Sequence, residues 1–225
     1  MSRSTSPEKK QHRILIVDDH PIVREGLTQL IQQEKDLVVC GEAESRHEAL
    51  TRITETDPAL VVLDLSIKDG SGLDLIKDIK VRHPKLPTLV LSMHDEATYA
   101  ERVLKAGGRG YLMKDEARQH IVTAIRQALA GDIYLSPRMS QAMHSKVGAG
   151  PAGGSLSPLE CLSDRELEIF RCIGQGLSTR EISRKLHRSV RTIDSHRENI
   201  KMKLNLTGAS DLLQRAIQWV QSEKA

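Results

Sequence analysis

Two hundred and twenty-five residues suffice for two small cores, since single cores usually run to ~100–200 residues, and a chain 39% hydrophobic and 28% charged is not compositionally disordered. The formal charge is only +3, no apolar run approaches the ~18 residues of a membrane span, and the opening MSRSTSPEKKQHR lacks the apolar stretch of a secretory signal. A cytosolic protein is expected, neither a polycation nor a membrane protein.

The Ser/Lys-rich first ten residues read as a disordered tail. Five short apolar runs follow: ILIV (Ile14 to Val17), LVVC (Leu37 to Cys40), LVVL (Leu60 to Leu63), TLVLS (Thr88 to Ser92) and GYLM (Gly110 to Met113). Each is continuously apolar, as strands covered on both faces of a parallel sheet must be. Amphipathic segments near Ile22 to Gln33, Arg46 to Thr54, Leu73 to Val81, Ala97 to Ala106 and Ala117 to Leu129 alternate with them. Strict alternation predicts a doubly wound, five-stranded parallel α/β domain over residues 12–135, with ligands bound outside the carboxyl ends of its strands. Whether Val103, Leu104, Ile121 and Ile125 belong to its core or to a dimer surface stays open.

The stretch KVGAGPAGGSLSPLE (Lys146 to Glu160), which marks a linker placed at residues 136–159, is too rich in glycine, proline and small residues to order itself. Beyond it no strand pattern survives. Ser163 before Glu166 and Ser178 before Glu181 have capping-box spacing, Ser189 can cap a third helix toward Leu204, and Thr207 or Ser210 a fourth ending near Trp219. A small all-α, four-helix module with a central helix-turn-helix is expected over residues 160–225. The first 155 residues hold 21 basic and 21 acidic side chains, whereas residues 180–203 hold eight basic against three acidic, so the positive field is local to this module. Three cysteines (Cys40, Cys161, Cys172) without ligand spacing indicate neither disulfides nor zinc, and five aromatic residues offer no base-stacking platform.

Chemistry gathers at the predicted strand ends. Asp18 and Asp19 follow the first strand, Asp64 the third, Ser92 ends the fourth and Lys114 follows the fifth. Carboxylates brought to ~4 Å repel by ~1 kcal/mol per pair in water and ~4 kcal/mol at an effective dielectric of ~20. A bound cation is therefore expected; all-oxygen ligands suit Mg²⁺, and Lys114 adds a movable point charge.

Through ILIVDDHPIVREGL, VVLDLSIKDGSGLDL, LVLSMHD and GYLMKD, residues 12–130 resemble the flavodoxin-like receiver domain of bacterial two-component response regulators. The resemblance implies Asp64 as phosphoacceptor from a sensor histidine kinase and a Mg²⁺ held by Asp18, Asp19, Asp64 and the Ser66 backbone carbonyl. It further implies Ser92 as the switch hydroxyl, Tyr111 as the switch aromatic and Lys114 as the phosphate-binding cation. Ser66 and His94 hold two positions that, in receivers, influence the access of hydrolytic water; a loop histidine without a role competes for His94.

Residues 160–221, carried by LSDRELEIFRCIGQGLSTREISRKLHRSVRTIDSHRENIKMKL, resemble the LuxR-type helix-turn-helix, and the whole chain a regulator of the NarL/FixJ class. That implies a transcriptional regulator, not an enzyme, which binds double-stranded DNA and dimerises when phosphorylated. At ~100° per residue, Ile193, Ile200 and Leu204 share the packed face of the third helix. Arg191, Asp194, Ser195, Glu198 and Met202 lie opposite, flanked by Thr192 and Asn199, where they would meet base edges. His196, Arg197, Lys201 and Lys203 are placed to reach phosphates. Asp194 and Glu198 stand where relatives often carry lysine, so base preference is not transferable; pairing with Arg191, Arg197 or Lys201 competes with base contact. Two rival functions are a phosphate-independent receiver platform, against which the complete acidic set speaks, and a Mg²⁺-dependent phosphatase, which lacks a second acid at Ser66.

Overall fold

The computed structural model describes residues 11–148, 158–186 and 188–222, and the chain separates into two compact units. In the first, strands β1 (His12–Val17), β2 (Leu37–Ala43), β3 (Leu60–Leu63), β6 (Thr88–Ser92) and β7 (Gly110–Met113) form one sheet in the order β2-β1-β3-β6-β7. Every pairing within it is parallel. Helices α1 (Pro21–Gln32), α2 (Arg46–Thr56), α3 (Gly72–Arg82), α4 (Glu96–Ala106) and α5 (Ala117–Ala130) alternate with these strands along the chain as the apolar runs require, although residues 94–102 group with the second unit. All four residues of β3 are buried, which is why LVVL has no polar alternation. Ile14, Ile16, Leu60, Val62, Leu89 and Leu91 form the core against Ile121, Ala124 and Ile125. Val103 is also buried, as are Ile121 and Ile125, whereas Leu104 is only half-buried.

Register brings the strand ends together. Val17 pairs with Leu63, so Asp18 and Asp64 leave adjacent strands side by side, and Ser92 pairs with Met113, so Lys114 emerges one residue further on. Because β1 connects outward to β2 on one side and lies against β3 on the other, the strand order reverses here, and the carboxyl ends open a crevice.

A hairpin and a helix that position or follow the site were not read from the sequence. A short antiparallel hairpin, β4 (Ser66–Ile67) with β5 (Gly70–Ser71), follows Asp64. Helix α6 (Pro137–Gly148) occupies the front of the expected linker; Pro137 opens it and the Ser136 hydroxyl accepts the Met139 amide at 3.1 Å. The remainder of the glycine-rich stretch, residues 149–157, and the Ser/Lys-rich tail, residues 1–10, lie outside the described residues.

In the second unit, α7 (Asp164–Gly174), α8 (Thr179–Lys185), α9 (Val190–Lys203) and α10 (Ala209–Ser222) are the four helices anticipated after the linker. Complete capping boxes join Ser163 to Glu166 and Ser178 to Glu181, and Ser189 caps α9 through the Thr192 amide. Phe170 stacks on Trp219 with ring centroids 5.5 Å apart, tying α7 to α10. Among the described residues, no helix is long and apolar enough to cross a membrane.

Candidate functional site

The crevice of the first unit is a buried charge network. Asp64 is 3% exposed and Asp18 2%, yet both carboxylates are served by one cation: Lys114 Nζ lies 2.8 Å from Asp64 Oδ2 and 2.6 Å from Asp18 Oδ2. The other Asp64 oxygen, Oδ1, accepts the Ser92 hydroxyl at 2.8 Å. Burial pushes the Asp64 carboxyl above the usual carboxylate range, and the Asp18 charge adds to the rise; Lys114 and Ser92 oppose it without cancelling it. For Lys114, burial acts against the ammonium, but Asp64 and Asp18 outweigh it, and the group titrates above an ordinary lysine.

Asp19 stands apart from this bonding. Its Oδ1 is shielded from solvent and receives no well-formed hydrogen bond, although His20 Nδ1 lies 2.7 Å away. A buried acceptor left open next to two further carboxylates fits a cation that the protein atoms do not supply. Asp18, Asp19, His20 and Asp64 can each offer one ligand atom within 4.8 Å of the others. The three carboxylates suit a hard, oxygen-preferring divalent ion such as Mg²⁺. His20 and Arg24 were missed by sequence reading, although both sit just after the Asp pair. The His20 amide donates to Asp18 Oδ1 at 2.8 Å, and Arg24 Nη1 donates to the Asp18 carbonyl at 2.7 Å.

Ser66 opens the β4 strand two residues past Asp64. Tyr111 is fully buried within β7, and His94 packs its ring against Tyr99 at 5.0 Å. Gly72 explains a tight local path: a Cβ there would meet the Leu65 Cα at 2.6 Å, so only glycine lets the chain pass the backbone beside the Asp64 loop.

In the second unit, α9 buries Ile193 and Ile200 and exposes Arg191, Asp194, Ser195, Glu198 and Met202, the face anticipated from its periodicity. Asn199 is exposed too, and Thr192, His196, Arg197 and Lys201 are half-buried. The charges differ in their freedom. Glu198 pairs with Lys201 at 2.9 Å, whereas Arg191 and Asp194 have no side-chain ion-pair partner among the described residues. Ser195 donates to the Arg191 carbonyl, and Thr192 shares a 2.7 Å hydroxyl contact with Ser189. Lys203 was expected to face phosphate, but its Nζ lies 2.6 Å from Glu166, a buried carboxylate on α7, while 40% of its side chain stays exposed. A helical wheel sees only its own helix and cannot reveal a partner 37 residues away.

Comparison with known proteins accounts for both units. The family described as "Response regulator receiver domain" matches residues 14–126, and "Bacterial regulatory proteins, luxR family" matches residues 160–216. The oxygen regulatory protein NreC of Staphylococcus carnosus is 32% identical over 209 residues, covering 91% of this chain and 96% of that one. The RcsB response regulator of Salmonella typhimurium is similar in structure, with a TM-score of 0.70 and 29% identity, covering 93% of this chain and 98% of that one. A second RcsB structure, bound to promoter P1flhDC in the presence of the phosphomimetic BeF3⁻, matches with a TM-score of 0.68 and 29% identity over 92% of this chain and 98% of that one.

Proposed function

Because the chain belongs to the response regulators, a receiver domain followed by a LuxR-type helix-turn-helix, we propose that it is a DNA-binding transcriptional regulator switched by phosphorylation of Asp64. We assign residues 12–135 to the receiver, 136–159 to the connection and 160–225 to DNA binding. The observation that carries the reading is the single buried cluster in which Lys114 and Ser92 hold the two oxygens of Asp64 from opposite sides.

In this mechanism an Asp64 oxygen attacks the phosphorus of a kinase phosphohistidine; the O–P bond forms as the P–N bond breaks, and the electron pair leaves on the imidazole nitrogen. Asp18, Asp19 and Asp64, with the Ser66 carbonyl, would hold Mg²⁺, which when bound supplies positive charge facing the phosphoryl oxygens. Lys114 exchanges its contact with the Asp64 carboxylate for one with a phosphoryl oxygen, and Ser92 re-aims its hydroxyl in the same way. Tyr111, already enclosed in β7, is the residue whose packing reports that shift. The transfer is stoichiometric, one phosphoryl group per chain, and supports no turnover of a separate substrate.

Output runs through α9. Arg191, Thr192, Asp194, Ser195, Glu198 and Asn199 face base edges in the major groove, and His196, Arg197 and Lys201 border it toward phosphates, while the Lys203 ammonium is held by Glu166. One module of this size buries only ~600–1,000 Å² on DNA, so a phosphorylation-driven homodimer on paired half-sites is the route to specific binding, in the cytoplasm where DNA and kinase meet. Treatment with Mg²⁺ and a small phosphodonor is expected to raise both dimer content and DNA affinity in the parent and to leave Asp64→Ala unchanged. Equal gains in both proteins would overturn the assignment.

A further inference from the structure

We propose that Asp69 is a positioning residue for the phosphoacceptor site: its carboxylate latches the hairpin that begins at Ser66 onto the N-terminus of α2, and this latch sets the affinity of the site for a divalent cation. The proposal rests on the reading of Asp18, Asp19, Asp64 and the Ser66 carbonyl as the metal-holding set.

A helix begins with amides that have no partner inside it. In α2 the Ser45 hydroxyl, as N-cap, takes only the Glu48 amide. The two preceding amides go to a carboxylate more than twenty residues away: Arg46 N donates to Asp69 Oδ1, and His47 N donates to Asp69 Oδ2 at 3.1 Å. Asp69 lies in the two-residue turn between β4 and β5, so a negative charge at the hairpin tip sits on the positive end of a helix. Neighbouring contacts tighten the seat. The Lys68 amide donates to the Glu44 carbonyl at 3.2 Å, and its ammonium lies 2.7 Å from the Glu44 carboxylate. Arg46 then reaches across to Asp78 on α3, its Nε 2.7 Å from Oδ2.

At the root of the hairpin the Gly72 amide donates to the Leu65 carbonyl at 2.9 Å, and the chain is pressed against the backbone at Leu65. Ser66 pairs with Ser71 in the short ladder. The hairpin is therefore held at both ends, at its root by Gly72 and at its tip by Asp69, and Ser66 lies between the two. A metal ligand supplied by backbone has no rotamer of its own; its position is only as fixed as the segment that carries it. Groups that orient metal ligands from behind typically change affinity by ~10–100-fold when removed.

Full-length protein, Asp69→Ala, Asp69→Asn and Arg126→Ala should be titrated with MgCl₂ by calorimetry, alongside thermal unfolding and amide hydrogen exchange over residues 44–48 and 66–72. Arg126 pairs with Glu34 and Asp36, away from the crevice, and controls for loss of a surface ion pair. We expect the Mg²⁺ dissociation constant to rise about tenfold in Asp69→Ala and less in Asp69→Asn, which keeps one acceptor oxygen, while Arg126→Ala matches the parent. Faster exchange in both segments should accompany the loss. Parent-like Mg²⁺ affinity in Asp69→Ala with faster hairpin exchange would overturn the latch, as would an equal loss in Arg126→Ala. Should Asp69→Ala not fold, parent-like affinity in Asp69→Asn overturns it. A parent that binds no Mg²⁺ overturns the metal reading first, and the latch with it.

Discussion

The crevice at the strand ends and the outer face of α9 are both dense in charge, but they hold it in opposite ways. At the centre of the crevice the ionic groups are buried and committed: Lys114, 8% exposed, is shared by Asp18 and Asp64, themselves nearly inaccessible. On α9, Arg191 and Asp194 lie open to solvent with no side-chain ion-pair partner among the described residues, and Glu198 pairs with its neighbour Lys201. Buried charge must be balanced inside the protein before any ligand arrives; exposed charge can wait for its partner in water. Chemistry at a fixed atom therefore belongs to the first region, and recognition of an extended polyanion to the second.

Removing the crevice cation should break this contrast most sharply. Lys114→Ala strands two buried carboxylates, and unfolding in the absence of divalent ions should show a loss of about 3 kcal/mol. Added Mg²⁺ should recover most of it in the variant while affecting the parent less; denaturant titrations with and without Mg²⁺ measure both.

Glu166 is the exception on the recognition side, a buried carboxylate that serves the Ser163 cap and Lys203 together. Glu166→Ala should cost the helical unit about 2 kcal/mol, roughly 1 from the cap and 1 from the charge-assisted bond, readable by unfolding followed at Trp219. Burial raises the Glu166 titration, but Lys203 and the Ser163 amide and hydroxyl outweigh it, and the folded group titrates below an ordinary glutamate. The unfolded chain then takes up the proton first. Stability from this group is fully present above an unfolded value of about 4.3 and drains as pH falls through the lower folded value; Glu166→Gln should flatten that decline.

On α9 itself the expected effects distinguish a committed cation from one open to solvent. Arg191→Ala should weaken specific DNA binding by about 1–3 kcal/mol and relax base preference at one position. Lys203→Ala should change affinity less and leave the salt dependence nearly unaltered, because its ammonium already has a carboxylate; a drop of about one in the salt slope would show instead that DNA displaces Glu166.

What the sequence made legible follows the same division. Strands buried on both faces read as unbroken apolar runs, and functional residues fall just past their ends, so Asp18, Asp64 and Lys114 could be brought together across almost a hundred positions. The β4–β5 hairpin could not, since two residues per strand leave no periodicity and the role of Asp69 depends on amides from a separate helix. Helix α6 did carry a start signal in Ser136–Pro137, but the glycine-rich stretch behind it dominated the local composition. On α9 the buried face was readable from spacing, whereas the pairing of Lys203 depends on how α7 packs.

Intact-mass and peptide mass spectrometry of the full-length chain after incubation with a small phosphodonor tests the central claim most directly. The account predicts one added phosphoryl group, dependent on Mg²⁺, located on Asp64 and absent from Asp64→Ala. Labelling at another residue, or none at Asp64 while the protein remains folded and binds Mg²⁺, would contradict it.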